Sequence, residues 1–258
     1  MSDGSRRSLL RIGHKGADAI VGGNTLESFR AAVEIGVDVI ELDVLRPRSD
    51  FAAVGDWKHA SAGPAPGATD ELLVAHDWGD AARRQTMTLA TTLDAFTKPP
   101  LDAVEIDLDL KIAGREDEVV AAIRDRGLES RTMASTMEVS SLRELRRLAP
   151  DLRIGWTIPK TYRDWTGNRW ARPLLVAGLA SLRVRLPAVV RRQAPALGVW
   201  AVWVYHGAIT PRLVASAHDA GVAVIAWTVD DARRVAALTA AGVDGICTND
   251  PRLLGGPA

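Results

Sequence analysis

Eight short apolar runs recur along the chain, most of them separated by stretches with helical periodicity. The runs are Leu9–Gly13, Val37–Val44, Ala103–Leu110, Arg131–Ser135, Leu152–Ile158, Gly198–Tyr205, Val222–Thr228 and Val243–Thr248. They are almost continuously apolar, not alternating, which is the pattern of strands covered on both faces. One helix follows Asn24-Thr25 with Leu26, Phe29, Ala32 and Val33 on one face. A second runs from Glu138 through Leu142, Leu145 and Leu148. A third begins at Thr210-Pro211, where the proline suits the first helical position, and a fourth follows Asp230 and ends at Gly242. Repeated strand–helix order implies parallel strands joined by right-handed crossovers. About eight such strands in one domain favour a closed (β/α)8 TIM barrel over an open sheet, and the 258 residues suit a single barrel domain spanning 1–258.

Two stretches break the alternation. Residues 47–70 are rich in Gly, Pro, Ala and Ser and read as a long loop. It leads into an extra short strand, Glu71–Ala75, inserted after strand 2 and delivering His76-Asp77. Residues 160–195 are too long for a plain connection between strands 5 and 6 and predict a helical insertion, one or two helices over the barrel mouth. That segment carries Trp165, Trp170, an apolar run and many arginines. A lid packed on the protein's own surface is the plainer reading; a peripheral membrane-surface contact is the alternative.

Composition narrows the classes. Lys plus Arg and Asp plus Glu each number 32, so the net charge is zero and no basic excess points to nucleic acid. The one cysteine, Cys247, lies in an apolar run and reads as a buried small side chain. The apolar residues after Arg6-Arg7 are too few for a signal-peptide core, and no run approaches the roughly 18 apolar residues of a membrane span, so the expectation is a cytoplasmic protein.

Barrel enzymes build their sites at the carboxyl ends of the strands. Glu41 and Asp43 are two apart in an apolar strand, so both side chains face the same way. Two ionised carboxylates side by side in an apolar setting need a cation, and a hard divalent ion, Mg2+ or Ca2+, fits oxygen ligands. The alternative is salt bridges to Arg11 or Arg46. On strand 3, Glu105, Asp107 and Asp109 share a face; Asp109 is the best third ligand, Asp107 the second choice, and Glu105 reads as an ion pair at the lower end. Lys111 follows in phase and is placed to hold a phosphate oxygen as a point charge. His14 and His76 flank strand ends and suit acid–base work near neutrality. His59 reads as a loop bystander, His206 as a possible lining of the mouth, and His218 as off the site. Strand 7 ends at Trp227.

These residues fall into an ordered set: Gly13-His14-Lys15-Gly16, Asn24 to Phe29, Glu41-Leu42-Asp43-Val44, His76-Asp77, Asp109-Leu110-Lys111, Ser135, Trp227-Thr228-Val229 and Gly242 to Thr248. In this order and spacing, over nearly the whole length, the chain resembles the glycerophosphodiester phosphodiesterases. The resemblance implies hydrolysis of glycerophosphodiesters to glycerol 3-phosphate and an alcohol, with lipid metabolism as the setting. It implies metal ligands at Glu41, Asp43 and Asp109, acid and base at His14 and His76, phosphate contacts at Lys15 and Lys111, and an aromatic at Trp227 shaping the glycerol side. It also implies that the neighbouring glycerol hydroxyl attacks first, giving a cyclic phosphate that water then opens. The chain departs from the family pattern in having Lys15 for Arg, Gly23 for Glu and Asp109 for Glu. Other readings are a lysophospholipase D-type activity on lysophospholipids and a phosphodiester-binding protein with weak turnover. A sugar-phosphate isomerase would rest on fold analogy alone.

Overall fold

The computed structural model describes residues 9–51, 70–160 and 172–255. Eight parallel strands form a closed ring: β1 (Leu10–His14), β2 (Val39–Leu45), β4 (Glu105–Leu110), β5 (Thr132–Thr136), β6 (Arg153–Ile158), β7 (Ala201–Tyr205), β8 (Ala223–Trp227) and β9 (Gly245–Thr248). Each pairs with its neighbour, and β1 closes the ring by pairing with both β2 and β9. Each apolar run read from the sequence contains or closely overlaps one of these strands. The fold is therefore a TIM barrel.

A ninth strand, β3 (Leu73–Val74), lies within the expected Glu71–Ala75 and runs antiparallel to the end of β2. Pairing with β1 stops at Glu41, whereas pairing with β4 continues to Val44. The upper edge of β2 left free by β1 is thus the edge that β3 takes, so His14 and His76 emerge on the same side of β2. The loop that precedes β3 begins with a single 3-10 turn, Arg48–Phe51; the rest of that expected loop, 52–69 and with it His59, lies outside the described residues.

The outer layer contains α1 (Leu26–Ile35), α2 (Trp78–Arg83), α3 (Leu89–Phe96), α4 (Glu116–Arg124), α5 (Val139–Leu148), α6 (Arg172–Leu197), α7 (Pro211–His218) and α8 (Ala232–Ala240). The expected starts of α1 and α7 hold: Thr25 and Thr210 accept from Ser28 N and Leu213 N, and Pro211 opens α7. At α8 the capping residue is Asp231, which accepts from Arg234 N; Asp230 is one residue too early and serves the site below. Helix α4 follows Arg115, whose backbone is left-handed and whose side chain does not cap it. The segment expected to hold one or two helices contains α6; 161–171, with Trp165 and Trp170, lies outside the described residues. Leu186, Val190, Ala194 and Leu197 bury one face of α6 in the outer core. No helix among the described residues is long and apolar enough to cross a membrane.

The barrel interior is filled low down by Ile12, Val39, Met133, Ala201, Trp203, Ile225 and Cys247. Cys247 is a buried packing residue there. Glu105 pairs with Arg153 at 2.9 Å on the lower side. Trp203 reaches across β6 because residue 155 is glycine: a Cβ there would lie 2.5 Å from the indole nitrogen. Gly155→Val is expected to destabilise the fold by about 1–3 kcal/mol through overpacking, read as a shifted denaturant midpoint. The same substitution in a Trp203→Leu background should cost less, and an equal cost in both would show that the indole is not what fills this space.

Candidate active site

Three carboxylates converge where β2 and β4 end. Glu41, Asp43 and Asp109 are buried, and each offers one oxygen such that all three lie within 4.8 Å of one another. Period-two geometry and the parallel register Asp43↔Asp109 bring them together. Arg11 and Arg46 do not neutralise the pair on β2: Arg11 is bound to Asp38 and Arg46 to Asp50. Asp107 sits one layer lower, opposite Glu41, and accepts from Ser135 Oγ at 2.7 Å. It belongs to the floor, and burial pushes its carboxyl well up.

Lys111 places its ammonium 2.5 Å from both Asp43 Oδ1 and Asp109 Oδ2. Against burial, Asp109, Asp43 and Glu41 push its pKa well up. The same arrangement splits the carboxyls. Burial and then Asp43 push Glu41 well up; burial opposes ionisation of Asp43, but the Lys111 charge, followed by His76 and Lys15, holds it far down. One ammonium against three carboxylates leaves an excess of negative charge in a cluster of hard oxygen donors. That donor set fits a divalent cation such as Mg2+ or Ca2+.

The loop after β1 holds two of these carboxylates. Lys15 and Asn24 both adopt left-handed backbone conformations, at φ 53 and 57, each costing about 1–3 kcal/mol unless its surroundings fix it. They are fixed together: Asn24 N–H donates to Lys15 O at 3.0 Å, and Ser28 Oγ donates to the same carbonyl. Lys15 N–H then donates to Glu41 Oε2 at 2.9 Å. The Asn24 amide spends both ends on Asp43, donating to Oδ2 at 2.7 Å and accepting from the backbone N–H at 3.1 Å. Asn24 thus fixes the orientation of the Asp43 carboxylate.

His14 ends β1, with Nε2 3.9 Å from Glu41 Oε2. Its Nδ1 lies 2.6 Å from Asn249 Oδ1. Asn249 Nδ2 donates to Asp230 Oδ2, and since a carboxylate only accepts, the amide orientation is set and its oxygen faces the imidazole. Nδ1 must then carry the proton, leaving the Nε2 lone pair toward the carboxylates. Asp230 is itself anchored by Asn249 N–H and Thr248 Oγ1. The sequence does not mark Asn249, and it marks Asp230 only as the residue that a helix follows; both lie shortly past the end of a barrel strand. His76, about half exposed, follows β3 and contacts Asp77 Oδ2 at 3.1 Å.

The far wall is aromatic. Trp227 meets Tyr205 edge-on at 6.1 Å, and Tyr205 packs on His206 at 4.7 Å. His206 Nδ1 accepts from Arg234 Nε, so that nitrogen is used structurally. His218 binds Asp244.

Burial, with the Lys15 charge, holds the His14 pKa below the ordinary 6.5. The Asn249 hydrogen bond acts in the opposite sense. NMR titration should therefore place His14 below 6.5, and Asn249→Ala should move it lower still; an upward move would refute the assigned tautomer.

A profile described as the Glycerophosphoryl diester phosphodiesterase family matches residues 14–52 and 87–253. The chain is 27% identical over 257 residues to the glycerophosphodiester phosphodiesterase of Caldanaerobacter subterraneus subsp. tengcongensis, covering 95% of this chain and 96% of that one. Its fold is shared with a glycerophosphodiester phosphodiesterase from Parabacteroides distasonis (TM-score 0.66, 19% identity, 93% of this chain and 92% of that). It is shared too with an Oleispira antarctica phosphodiesterase solved with the product sn-glycerol-3-phosphate (TM-score 0.59, 16% identity, 93% of each chain). The chain belongs to the glycerophosphoryl diester phosphodiesterase family and is a phosphoric diester hydrolase.

Proposed function

We propose that the enzyme hydrolyses glycerophosphodiesters to glycerol 3-phosphate and an alcohol, with one Mg2+ or Ca2+ held by Glu41, Asp43 and Asp109. The observation that carries this reading is the pairing of that carboxylate set with a histidine of fixed tautomer, inside a family of phosphodiester hydrolases. A bound divalent ion would act as a Lewis acid on the phosphoryl oxygens. His14, neutral and with Nε2 free to accept, takes the proton of the attacking glycerol hydroxyl. His76, on the same side of β2 and open to solvent, gives a proton to the departing alcohol. In the second half the roles reverse, and water opens the cyclic phosphate. Lys15 and Lys111 hold phosphate oxygens as point charges. Trp227, against Tyr205, shapes the glycerol side.

A second substrate class has one observation in its favour. Among the described residues, the large hydrophobics that stand exposed are Ile20, in the loop after β1, and Val176 and Val184 on α6. The helix bears five arginines and no acid. Arg183 donates to Gly207 O, just past the end of β7, which holds this part of the helix, with Val184 next to it, at the rim on the mouth side. This arrangement suits contact with a lipid surface and lysophospholipids as substrates.

Purified protein should release choline from glycerophosphocholine in Mg2+ or Ca2+ and lose that turnover in EDTA. His14→Ala should lower kcat by about 10²–10⁴-fold, and Asn249→Ala by a smaller factor. Lysophosphatidylcholine as a parallel substrate separates the two classes. Tight binding with no turnover on either would leave a binding protein and refute the enzyme reading.

A further inference from the structure

The loop between β1 and α1 contains a charged side chain that the site as described leaves unused. Asp18 Oδ1 accepts from Gly23 N–H at 2.7 Å, while its other oxygen lies 3.7 Å from the Lys15 ammonium. Asp18 therefore touches both ends of the loop that carries Lys15. Gly23 is informative about why. Its backbone is not in the left-handed region that favours glycine, unlike Gly16 and Gly36. A Cβ at 23 would instead stand 2.6 Å from Asp18 Oδ1, 2.9 Å from Asp18 Cγ and 2.6 Å from Lys15 Cβ. The glycine answers a need for space, shared by the Asp18 carboxylate and the Lys15 stem that it faces.

The Lys15 backbone is already fixed by Glu41, Asn24 and Ser28. Its side chain is a flexible four-carbon stem, and among the described residues Asp18 is the carboxylate in ion-pair range of its tip. A lysine so tethered spends less conformational freedom when it meets an anion.

We propose that Asp18 is a positioning residue, holding the Lys15 ammonium at the mouth for the phosphoryl group, and that residue 23 is glycine to admit it. The proposal rests on the reading of Lys15 as a phosphate contact. Its opposite is that Asp18 merely neutralises Lys15, in which case removing the charge would tighten anion binding.

Asp18→Asn keeps an oxygen for Gly23 N–H and removes only the charge. With metal bound, this variant should bind inorganic phosphate about 3–10-fold more weakly by calorimetry. It should raise KM for glycerophosphocholine by a similar factor, with kcat within about twofold and an unchanged melting temperature. In a Lys15→Ala background the same substitution should change neither constant. Gly23→Ala, which crowds both the carboxylate and the Lys15 Cβ, should give at least the same loss in the native background. An unchanged or tighter phosphate Kd in Asp18→Asn, or an equal loss with and without Lys15, overturns the proposal. Because phosphate binding is read without turnover, failure of wild type to hydrolyse any glycerophosphodiester would instead count against the catalytic reading alone.

Discussion

The ammonium of Lys111, between Asp43 and Asp109, is the contact on which the mouth of this barrel depends. Carboxylates brought into an apolar ring are costly unless cations meet them. One lysine answers part of that charge, and the remainder is what makes the cluster a donor set that fits a divalent ion. The rest of the site is arranged around the same imbalance. Glu41 is turned by the Lys15 amide, Asp43 by both ends of Asn24, and Ser135 lies between the Asp107 and Asp109 carboxylates.

That arrangement explains where the backbone departs from regular geometry. The two non-glycine residues of the β1–α1 loop in the left-handed region are the two that grip carboxylates of the Glu41–Asp43–Asp109 cluster. The conformation is held by hydrogen bonds within the loop and by the start of α1, whose capping Thr25 directly follows Asn24. The Asn-Thr pair thus joins two tasks, starting a helix and orienting the Asp43 carboxylate. The short strand β3 has a comparable economy: it uses the edge of β2 that β1 leaves free and sets His76 beside the cluster.

Much of this was legible in the chain. Apolar runs of strand length mark the barrel because both faces of such strands are buried, and alternation along β2 and β4 places Glu41 with Asp43 and Asp107 with Asp109. Alternation alone could not choose between Asp107 and Asp109, because both face inward; height along the barrel decided it. Asp230 reads as a helix cap on sequence grounds, since Asp before an apolar-periodic stretch is the usual signal. The neighbouring Asp231 takes that task, which frees Asp230 to anchor Asn249. No local pattern could have separated the two aspartates.

By itself the sequence determined the parallel barrel, the faces on which its carboxylates lie and the strand ends from which its histidines emerge, because burial and period-two geometry act over a few residues. Only the tertiary structure decided the partners. Asn249 meets His14 across 235 positions of chain, and Asn24 meets Asp43 through the loop geometry that connects β1 to α1. Closure of the ring between β1 and β9 is what brings the two ends of the chain into hydrogen-bonding distance, and spacing along a sequence carries no trace of which side chains will face each other there.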